Sequence, residues 1–188
     1  MSAPSAATLA ACAAVLIAPN DSDTATLKLL AEAVGFGTAL DFRAPGSASL
    51  TQLPYYLLHP AVPDLGKARF IKAIRSSEDP RKKFAPIILF LPRGPAHQAL
   101  FYIEMGFDDV LFMSDPVGAL QGKLLQQLGQ EVMFVQTGNY LGPDRRRMER
   151  IRREDPRRKP GGSVHRRFAV IRDPQTGLRV QDRPERRL

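Results

Sequence analysis

Residues 55–64 read Tyr-Tyr-Leu-Leu-His-Pro-Ala-Val-Pro-Asp, a short apolar run that ends at one polar residue and then breaks into a turn. The run has the composition of a buried strand, and Pro60 and Pro63 are typical of the turn that follows one. Open α/β sheets bind ligands at the carboxyl ends of their strands, in the crevice where the strand order reverses. We therefore expect His59, the residue at the carboxyl end of this strand, to lie at the functional centre of the fold.

Strand and helix patterns alternate on both sides of this stretch. Before it, residues 13–18 form an apolar run, which is followed by a leucine-rich helical pattern and a weak strand pattern. After it, apolar runs at residues 86–91 and 110–113 are each followed by apolar residues at helical spacing. The sequence therefore predicts an α/β fold: a five-stranded, doubly wound parallel sheet with helices on both faces.

Four short segments carry a resemblance to a known family. They are Val15-Leu16-Ile17, Leu57-Leu58-His59 with Pro63-Asp64, Pro86-Ile87-Ile88 and Gly106-Phe107-Asp108-Asp109-Val110-Leu111. In order and spacing they resemble the receiver domain of bacterial response regulators, the chemotaxis-type phosphoacceptor family. The last segment is similar to that family's Gly-Ala-Asp-Asp-Tyr-Leu segment. The resemblance covers residues 12–130 and implies a flavodoxin-like receiver fold for them.

The residues that this family uses for phosphotransfer are replaced at each matching position. The replacements are Pro19 and Asn20 for the two Mg²⁺-binding acids, His59 for the phosphoacceptor aspartate, Leu91 for the Ser or Thr that ends the fourth strand, and Met113 for the Lys that ends the fifth. A hard cation such as Mg²⁺ needs carboxylate oxygens, and Asp21 alone could supply one here. The resemblance thus implies a pseudo-receiver, with a degenerate phosphoacceptor pocket and no metal site.

His59 leaves two interpretations open. A phospho-accepting or metal-binding histidine needs convergent partners, and the spacing of His97 and His165 does not favour their convergence on it. We favour the simpler interpretation, a histidine that is hydrogen-bonded in a collapsed pocket. The loop before the first helix offers Ser22 or Asp23 as the residue that caps this helix.

The net charge of +8 belongs to the C-terminal part of the chain. Residues 141–188 contain 16 Lys and Arg against 7 Asp and Glu, a balance of +9, whereas residues 1–140 contain 11 against 12, a balance of −1. The basic charge is therefore a local binding feature and not a property of the fold.

These patterns divide the chain into an N-terminal segment (residues 1–11), a receiver-like domain (residues 12–130) and an arginine-rich C-terminal extension (residues 131–188). In the extension we expect a strand at residues 131–137, a helix at 145–154 and a small hairpin. A hairpin by itself is marginally stable. We therefore expect the basic extension to be partly disordered, and the alternative interpretation is a basic tail that is wholly solvated and unfolded.

Residues 140–147 read Tyr-Leu-Gly-Pro-Asp-Arg-Arg-Arg and begin a segment dense in arginine. They resemble arginine-rich extensions after receiver-like domains in some bacterial signalling proteins, including chemotaxis-type effectors that bind cyclic di-GMP. Guanidinium groups suit bidentate recognition of phosphate and stacking on bases. The ligand-binding residues that this resemblance implies are Tyr140, Asp144, Arg145, Arg146, Arg147, Arg150, Arg152, Arg153 and Asp155.

The sequence thus predicts a non-catalytic, phosphorylation-independent signalling protein. Its extension would bind a nucleotide second messenger, with cyclic di-GMP as the candidate, and would control a partner protein. The alternative is an adaptor whose basic tail docks an acidic partner without a nucleotide. We expect no enzyme, because no nucleophile and base pair and no phosphate-binding glycine loop is evident, and we expect no cofactor. Nucleic-acid binding is less favoured, because the tail lacks regularly interleaved aromatic residues.

Cysteine usage and hydropathy indicate a cytoplasmic protein. The single cysteine, Cys12, cannot form an internal disulfide, as is typical of a reducing compartment. The apolar run at residues 6–18 lacks a basic leader and is too short to span a bilayer, so we expect no insertion into a membrane.

Overall fold

Two β-sheets organise the residues that the computed structural model describes, which are 8–46, 50–138, 140–144 and 166–183. The strands of the first sheet are β1 (Cys12–Ile17), β2 (Thr38–Asp41), β3 (Leu53–Leu58), β4 (Ile87–Leu91) and β5 (Asp109–Phe112). All of its strand pairs are parallel, and their order is β2-β1-β3-β4-β5. This is the flavodoxin-like order, with its reversal between β1 and β3, and it confirms the predicted fold class.

The helices cover both faces of the parallel sheet. They are α1 (Asp21–Ala33), α2 (Asp64–Arg75), the short α3 (Pro80–Lys83), α4 (Ala96–Met105) and α5 (Val117–Leu125), and a 3₁₀ turn at Leu9–Ala11 precedes β1. None of the helices in the described part of the chain is long and apolar enough to cross a membrane.

The alternation of side chains along β3 divides the core into two clusters. Tyr55 and Leu57 pack in the cluster that α1 and α5 complete, whereas Tyr56 and Leu58 pack in the cluster that α2 and α4 complete. Successive strand residues point to opposite faces, so a strand with helices on both sides must be apolar throughout. Every residue of β3 and β4 is buried, which is why these stretches appear as unbroken apolar runs in the sequence.

A four-stranded antiparallel sheet follows the parallel one. Its strands are β6 (Glu131–Gln136), β7 (Leu141–Pro143), β8 (Arg166–Asp173) and β9 (Gly177–Arg183), in the order β7-β6-β8-β9. One edge strand, β7, has three residues, and the other, β9, is largely exposed. The domain boundary predicted at residue 130 stays a prediction, and Glu131 is the first residue of the second sheet.

The predicted hairpin is present, and it belongs to a larger sheet. Strands β8 and β9 do form the hairpin, and its turn is closed by the Asp173 carboxylate, which accepts the N–H groups of Gln175 and Thr176 at 2.8 and 3.0 Å. However, β8 also pairs with β6 over six residues, so it is an inner strand of a larger sheet. Local sequence patterns carry no signal for this pairing across residues 137–165. The predicted helix at residues 145–154 lies outside the described residues.

A buried arginine joins the second sheet to the first. Arg172 of β8 is fully buried, with 0% of its surface exposed. Its Nε donates to the Phe84 carbonyl at 2.7 Å, and its Nη1 donates to Gln127 Oε1 at 3.1 Å. Its Nη2 donates to Asp108 Oδ1 at 2.5 Å, an ion pair with the loop before β5. One side chain of the second sheet thus contacts three separate segments around the first.

Asp108 also pairs with a second buried arginine, Arg75 at the end of α2. The Arg75 Nη2 donates to Asp108 Oδ2 at 2.5 Å, and its Nη1 donates to the Lys83 and Ala85 carbonyls at 2.8 Å. Burial lowers the pKa of Arg75, and the Asp108 carboxylate opposes this effect. We call Arg75, Asp108 and Arg172 the buried ion cluster. Both guanidinium groups of the cluster lie over the Phe134 ring of β6, 5.1 and 5.4 Å from its centroid.

We predict that Asp108→Asn destabilises the protein by about 3 to 5 kcal/mol, because it leaves two buried guanidinium groups without a carboxylate. Urea unfolding of the full chain measures the free energy of unfolding. Asp115→Asn is the matched control, since it breaks an exposed ion pair with Lys123 and should cost less than about 1 kcal/mol. Equal losses in the two variants would contradict the role assigned to the buried ion cluster.

Candidate functional site

The five residues that the resemblance places in the phosphoacceptor pocket lie at one edge of the parallel sheet. In chain order, Pro19 and Asn20 follow β1, His59 follows β3, Leu91 ends β4 and Met113 follows β5. Backbone hydrogen bonds bring neighbours together: the His59 N–H donates to the Ile17 carbonyl at 2.9 Å, and the Met113 N–H donates to the Leu91 carbonyl at 2.8 Å. The five residues thus lie at strand ends of the parallel sheet, and their assignment to a phosphoacceptor pocket stays a prediction.

Asn20 caps helix α1, and this differs from our expectation of Ser22 or Asp23. Its Oδ1 accepts the Asp23 N–H at 2.9 Å, while its Nδ2 donates to Asp23 Oδ2 at 2.9 Å. Because the helix begins directly after Asn20, Asp21 and Asp23 both lie in its first turn. Acidic residues are favourable there because they face the positive end of the helix dipole.

Asp23, which the sequence suggested only as a cap, is the charged neighbour of His59. Its Oδ2 lies 3.5 Å from His59 Nδ1, and the Ala61 N–H donates to the same nitrogen at 3.3 Å. The His59 side chain is 11% exposed. This arrangement agrees with our interpretation of His59 as a hydrogen-bonded histidine, and its partners come from α1 and from the turn after β3.

Burial lowers the pKa of His59 below its usual value of 6.5, and the Asp23 carboxylate opposes this shift. The imidazole is thus mainly neutral at neutral pH. The hydrogen bond from the Ala61 N–H also indicates a neutral imidazole, because Nδ1 can accept an N–H only when it carries no proton itself.

The other pocket residues offer little to a cation or a phosphoryl group. Leu91 packs in the apolar cluster of α2 and α4, and Met113 packs against the opposite cluster. Asp21, the one carboxylate that we considered for a metal, accepts from Arg43 Nη2 at 2.8 Å, and the same guanidinium binds Asp41. In the described ranges, no three His, Cys, Asp or Glu side chains are close enough together to hold a metal ion.

A buried lysine fixes the turn that follows His59, and sequence patterns gave no sign of it. Lys67 Nζ donates to the Pro60 carbonyl at 3.1 Å and to Asp64 Oδ1 at 2.9 Å. Its ammonium group lies 4.9 Å from the centre of the Tyr102 ring. The hydrogen bond from Lys67 to Asp64, together with one from the Tyr102 hydroxyl, lowers the pKa of Asp64.

Two of the nine predicted ligand residues lie in the described part of the extension, and they do not line the same cavity. Tyr140 lines a cavity of about 630 Å³ between α2 and the β6–β7 turn, and its hydroxyl donates to the Pro143 carbonyl at 3.2 Å. Asp144 lines a smaller cavity of about 230 Å³ beside Phe107. The remaining seven lie outside the described residues: Arg145, Arg146, Arg147, Arg150, Arg152, Arg153 and Asp155.

Comparisons with known proteins return matches only among solved structures. No protein-family model and no curated protein matches the chain. A signal receiver domain of a signal transduction histidine kinase from Syntrophus aciditrophicus is 17% identical, with 63% of this chain and 93% of that chain covered at a TM-score of 0.45. A response regulator in red light signaling of R. palustris is 14% identical, with 61% and 90% covered at a TM-score of 0.41. The fold assignment rests on the strand order described above.

We predict that His59 makes the protein less stable in acid. Its pKa is lowered on folding, so the unfolded chain binds the proton more readily once the pH falls below the unfolded value of 6.5. The contribution of His59 to stability is therefore present above that pH and is lost as the pH falls towards the folded pKa. Urea unfolding at about pH 7.5 and about pH 5.5 should give a smaller decrease in unfolding free energy for His59→Leu than for the wild type.

His97→Leu is the control for this measurement, because it removes a histidine from an exposed position on α4. It should retain the pH dependence of the wild type. If His59→Leu also retained that dependence, the acid sensitivity would have to originate at another group.

Proposed function

We propose that this chain is a non-catalytic, phosphorylation-independent signalling protein, a receiver-like module that has lost phosphotransfer. The proposal rests on the residues that occupy the pocket at the sheet edge and on their contacts. The acceptor position holds His59, whose Nδ1 already accepts the Ala61 N–H and faces the Asp23 carboxylate. A dianionic phosphoryl group on this nitrogen would lie beside a negative charge, and the supporting positions hold Leu91 and Met113.

For the ligand, we propose that the segment from Arg145 to Arg153 binds cyclic di-GMP. Guanidinium groups can contact the two phosphates of this nucleotide through bidentate hydrogen bonds, and they can also stack on its guanine faces. The strand pairing supports the placement of such a site. Residues 145–165 connect β7 to β8, and these two strands flank β6 in one sheet. Both ends of this connection therefore join strands of the antiparallel sheet, and a ligand bound to the connection would act on that sheet.

The route from this ligand to a partner protein would run through β8. This strand carries Arg172, whose ion pair with Asp108 joins the antiparallel sheet to the parallel one. A change in the register or tilt of β8 would alter a contact that has no solvent to compensate it, since both side chains are at most 1% exposed. We propose that the ligand controls the partner through this contact.

The alternative is a protein adaptor without a nucleotide ligand, and one observation favours it. Leu65 of α2 and Phe101 of α4 are 64% and 52% exposed, on helices that pack against the same face of the parallel sheet. Large apolar side chains in such positions are typical of protein interfaces. In this alternative, the basic extension would contact an acidic surface of the partner.

We predict that acetyl phosphate with Mg²⁺ leaves the protein unphosphorylated, as measured by intact-mass spectrometry. The reason is that the five matched positions supply no carboxylate for Mg²⁺ and no hydroxyl or ammonium group for the phosphoryl oxygens. His59→Asp by itself should not restore transfer, because Leu91 and Met113 remain. An active receiver domain treated in parallel is the positive control, and a stable phosphate on His59 or Asp21 would overturn the proposal.

We predict that cyclic di-GMP binds the full chain saturably, and that Arg146→Ala or Arg150→Ala weakens binding by about 1.5 to 3 kcal/mol, the range of a hydrogen bond to a charged group. Titration calorimetry measures both affinities. Arg186→Ala is the control because it removes the same charge near the C-terminus, and an equal loss there would indicate an effect of bulk charge. The absence of saturable heat would contradict the ligand assignment and favour the adaptor.

A further inference from the structure

The cavity that Tyr140 lines is a cleft between the two sheets, and none of the five phosphoacceptor-pocket residues is among the described residues that line it. Its walls are α2, the end of α3, the end of α4 and the β6–β7 turn. Its volume of about 630 Å³ is in the range of sites for small ligands, which is roughly 300 to 1,000 Å³. We call it the inter-sheet cleft.

The charged residues that line the inter-sheet cleft are all basic. They are Lys72 in the last turn of α2, Arg75 at the end of that helix and Lys83 at the end of α3, and no Asp or Glu lines the cleft. Asp108 neutralises Arg75. Lys72 and Lys83 have no carboxylate within ion-pair distance among the residues that the structure describes. Within the described ranges, the cleft therefore presents two positive charges without an ion-pair partner, which is a condition that attracts an anion.

A buried hydrogen-bond donor in the wall of the cleft lacks a partner. Arg75 is 4% exposed, and its Nε is buried without a hydrogen bond, while its Nη1 makes two hydrogen bonds and its Nη2 makes one. The Nε is itself buried, so a ligand in the cleft would contact Lys72 and Lys83 and not the Arg75 Nε.

The rest of the lining is mixed and includes one aromatic ring. Ser76, Gln136 and Thr137 are polar, whereas Ile71, Met105 and Leu141 form an apolar part together with Tyr140. The Tyr140 side chain lies close to Gly142 and Gly106, and its hydroxyl donates to the Pro143 carbonyl at 3.2 Å. An aromatic ring in the lining offers a surface on which a flat group can stack.

We propose that the inter-sheet cleft binds a phosphorylated small molecule with one flat ring, of the nucleoside monophosphate class. Lys72 and Lys83 contact the phosphate, and Tyr140 with Met105 contacts the ring. The lysine ammonium groups suit a phosphate in a half-open cleft, since they act as point charges and need no fixed geometry. The site shares Tyr140 with the residues that the sequence predicts for cyclic di-GMP, but its phosphate contacts are Lys72 and Lys83 and not the arginines of residues 145–153.

A ligand in this cleft would contact both sheets. Lys72 belongs to the parallel-sheet part of the chain, whereas Tyr140 and Leu141 belong to the antiparallel sheet. Binding would thus stabilise the same docking that the buried ion cluster maintains.

The test is a titration of the full-length protein with GMP and, separately, with inorganic phosphate, followed by calorimetry and by amide NMR signals. GMP should bind saturably, should shift the amide signals of Thr137 and Gly138, and should bind more tightly than phosphate. Lys72→Glu and Lys83→Glu should each weaken GMP binding about tenfold or more. Lys28→Glu, an exposed lysine on α1, makes the same change in net charge and should leave GMP affinity unchanged.

Both lysines lie near helix C-termini, where a cation also stabilises the helix, so the urea midpoint of each variant is measured alongside binding. A loss of GMP affinity with an unchanged midpoint supports the proposal. The proposal is overturned if GMP does not saturate at millimolar concentration, if Lys28→Glu weakens it equally, or if phosphate alone binds as tightly. It is also overturned if Arg146→Ala abolishes GMP binding, whereas a negative cyclic di-GMP titration leaves this site unaffected.

Discussion

The carboxylate of Asp108 holds together three parts of the chain that are far apart in sequence. It accepts from Arg75 at the end of α2 and from Arg172 in β8, and it also accepts the Ile87 N–H at the start of β4. Removing these charges from water is costly, and apolar residues of similar volume often give comparable stability. The charged groups also fix the relative orientation of the segments that they join, because a guanidinium donates hydrogen bonds only in fixed directions. The buried ion cluster therefore determines how the antiparallel sheet sits on the parallel one.

How far the sequence alone could lead differs between the two sheets. The parallel sheet was predictable because each strand is buried on both faces, so its residues form an apolar run between turn signals. The strand β6 and the hairpin were predictable from the same local patterns. Their union was not, because β8 pairs with β6 across residues 137–165. Arg172 was hidden for a related reason: in a basic extension, one buried arginine has no local feature that distinguishes it from exposed ones.

For the pocket at the sheet edge, the sequence predicted where the residues lie but not which side chains they contact. The strand ends fixed where His59, Leu91 and Met113 would lie, since the carboxyl ends of parallel strands share one edge. The partners of His59 could not be read from spacing, because Asp23 reaches it from the first turn of α1. Asp23 lies in this turn because the helix begins after Asn20. The sequence did not single out Asn20 as the cap, since several residues of that loop were chemically suitable for the role. The pocket is thus filled by contacts within the chain.

The edges of the antiparallel sheet carry a consequence for self-association. An open edge of unpaired N–H and C=O groups is a template on which another chain can add a strand, and short strands, prolines and charges are the usual protection. One edge here is the three-residue β7, which ends at Pro143. The other is β9, where Asp182 pairs with Arg166 and Arg183 pairs with Glu131. A second copy of the chain would meet a three-residue strand at one edge and a strand with charged side chains at the other, so growth by strand addition, the first step towards fibrils, is opposed at both edges.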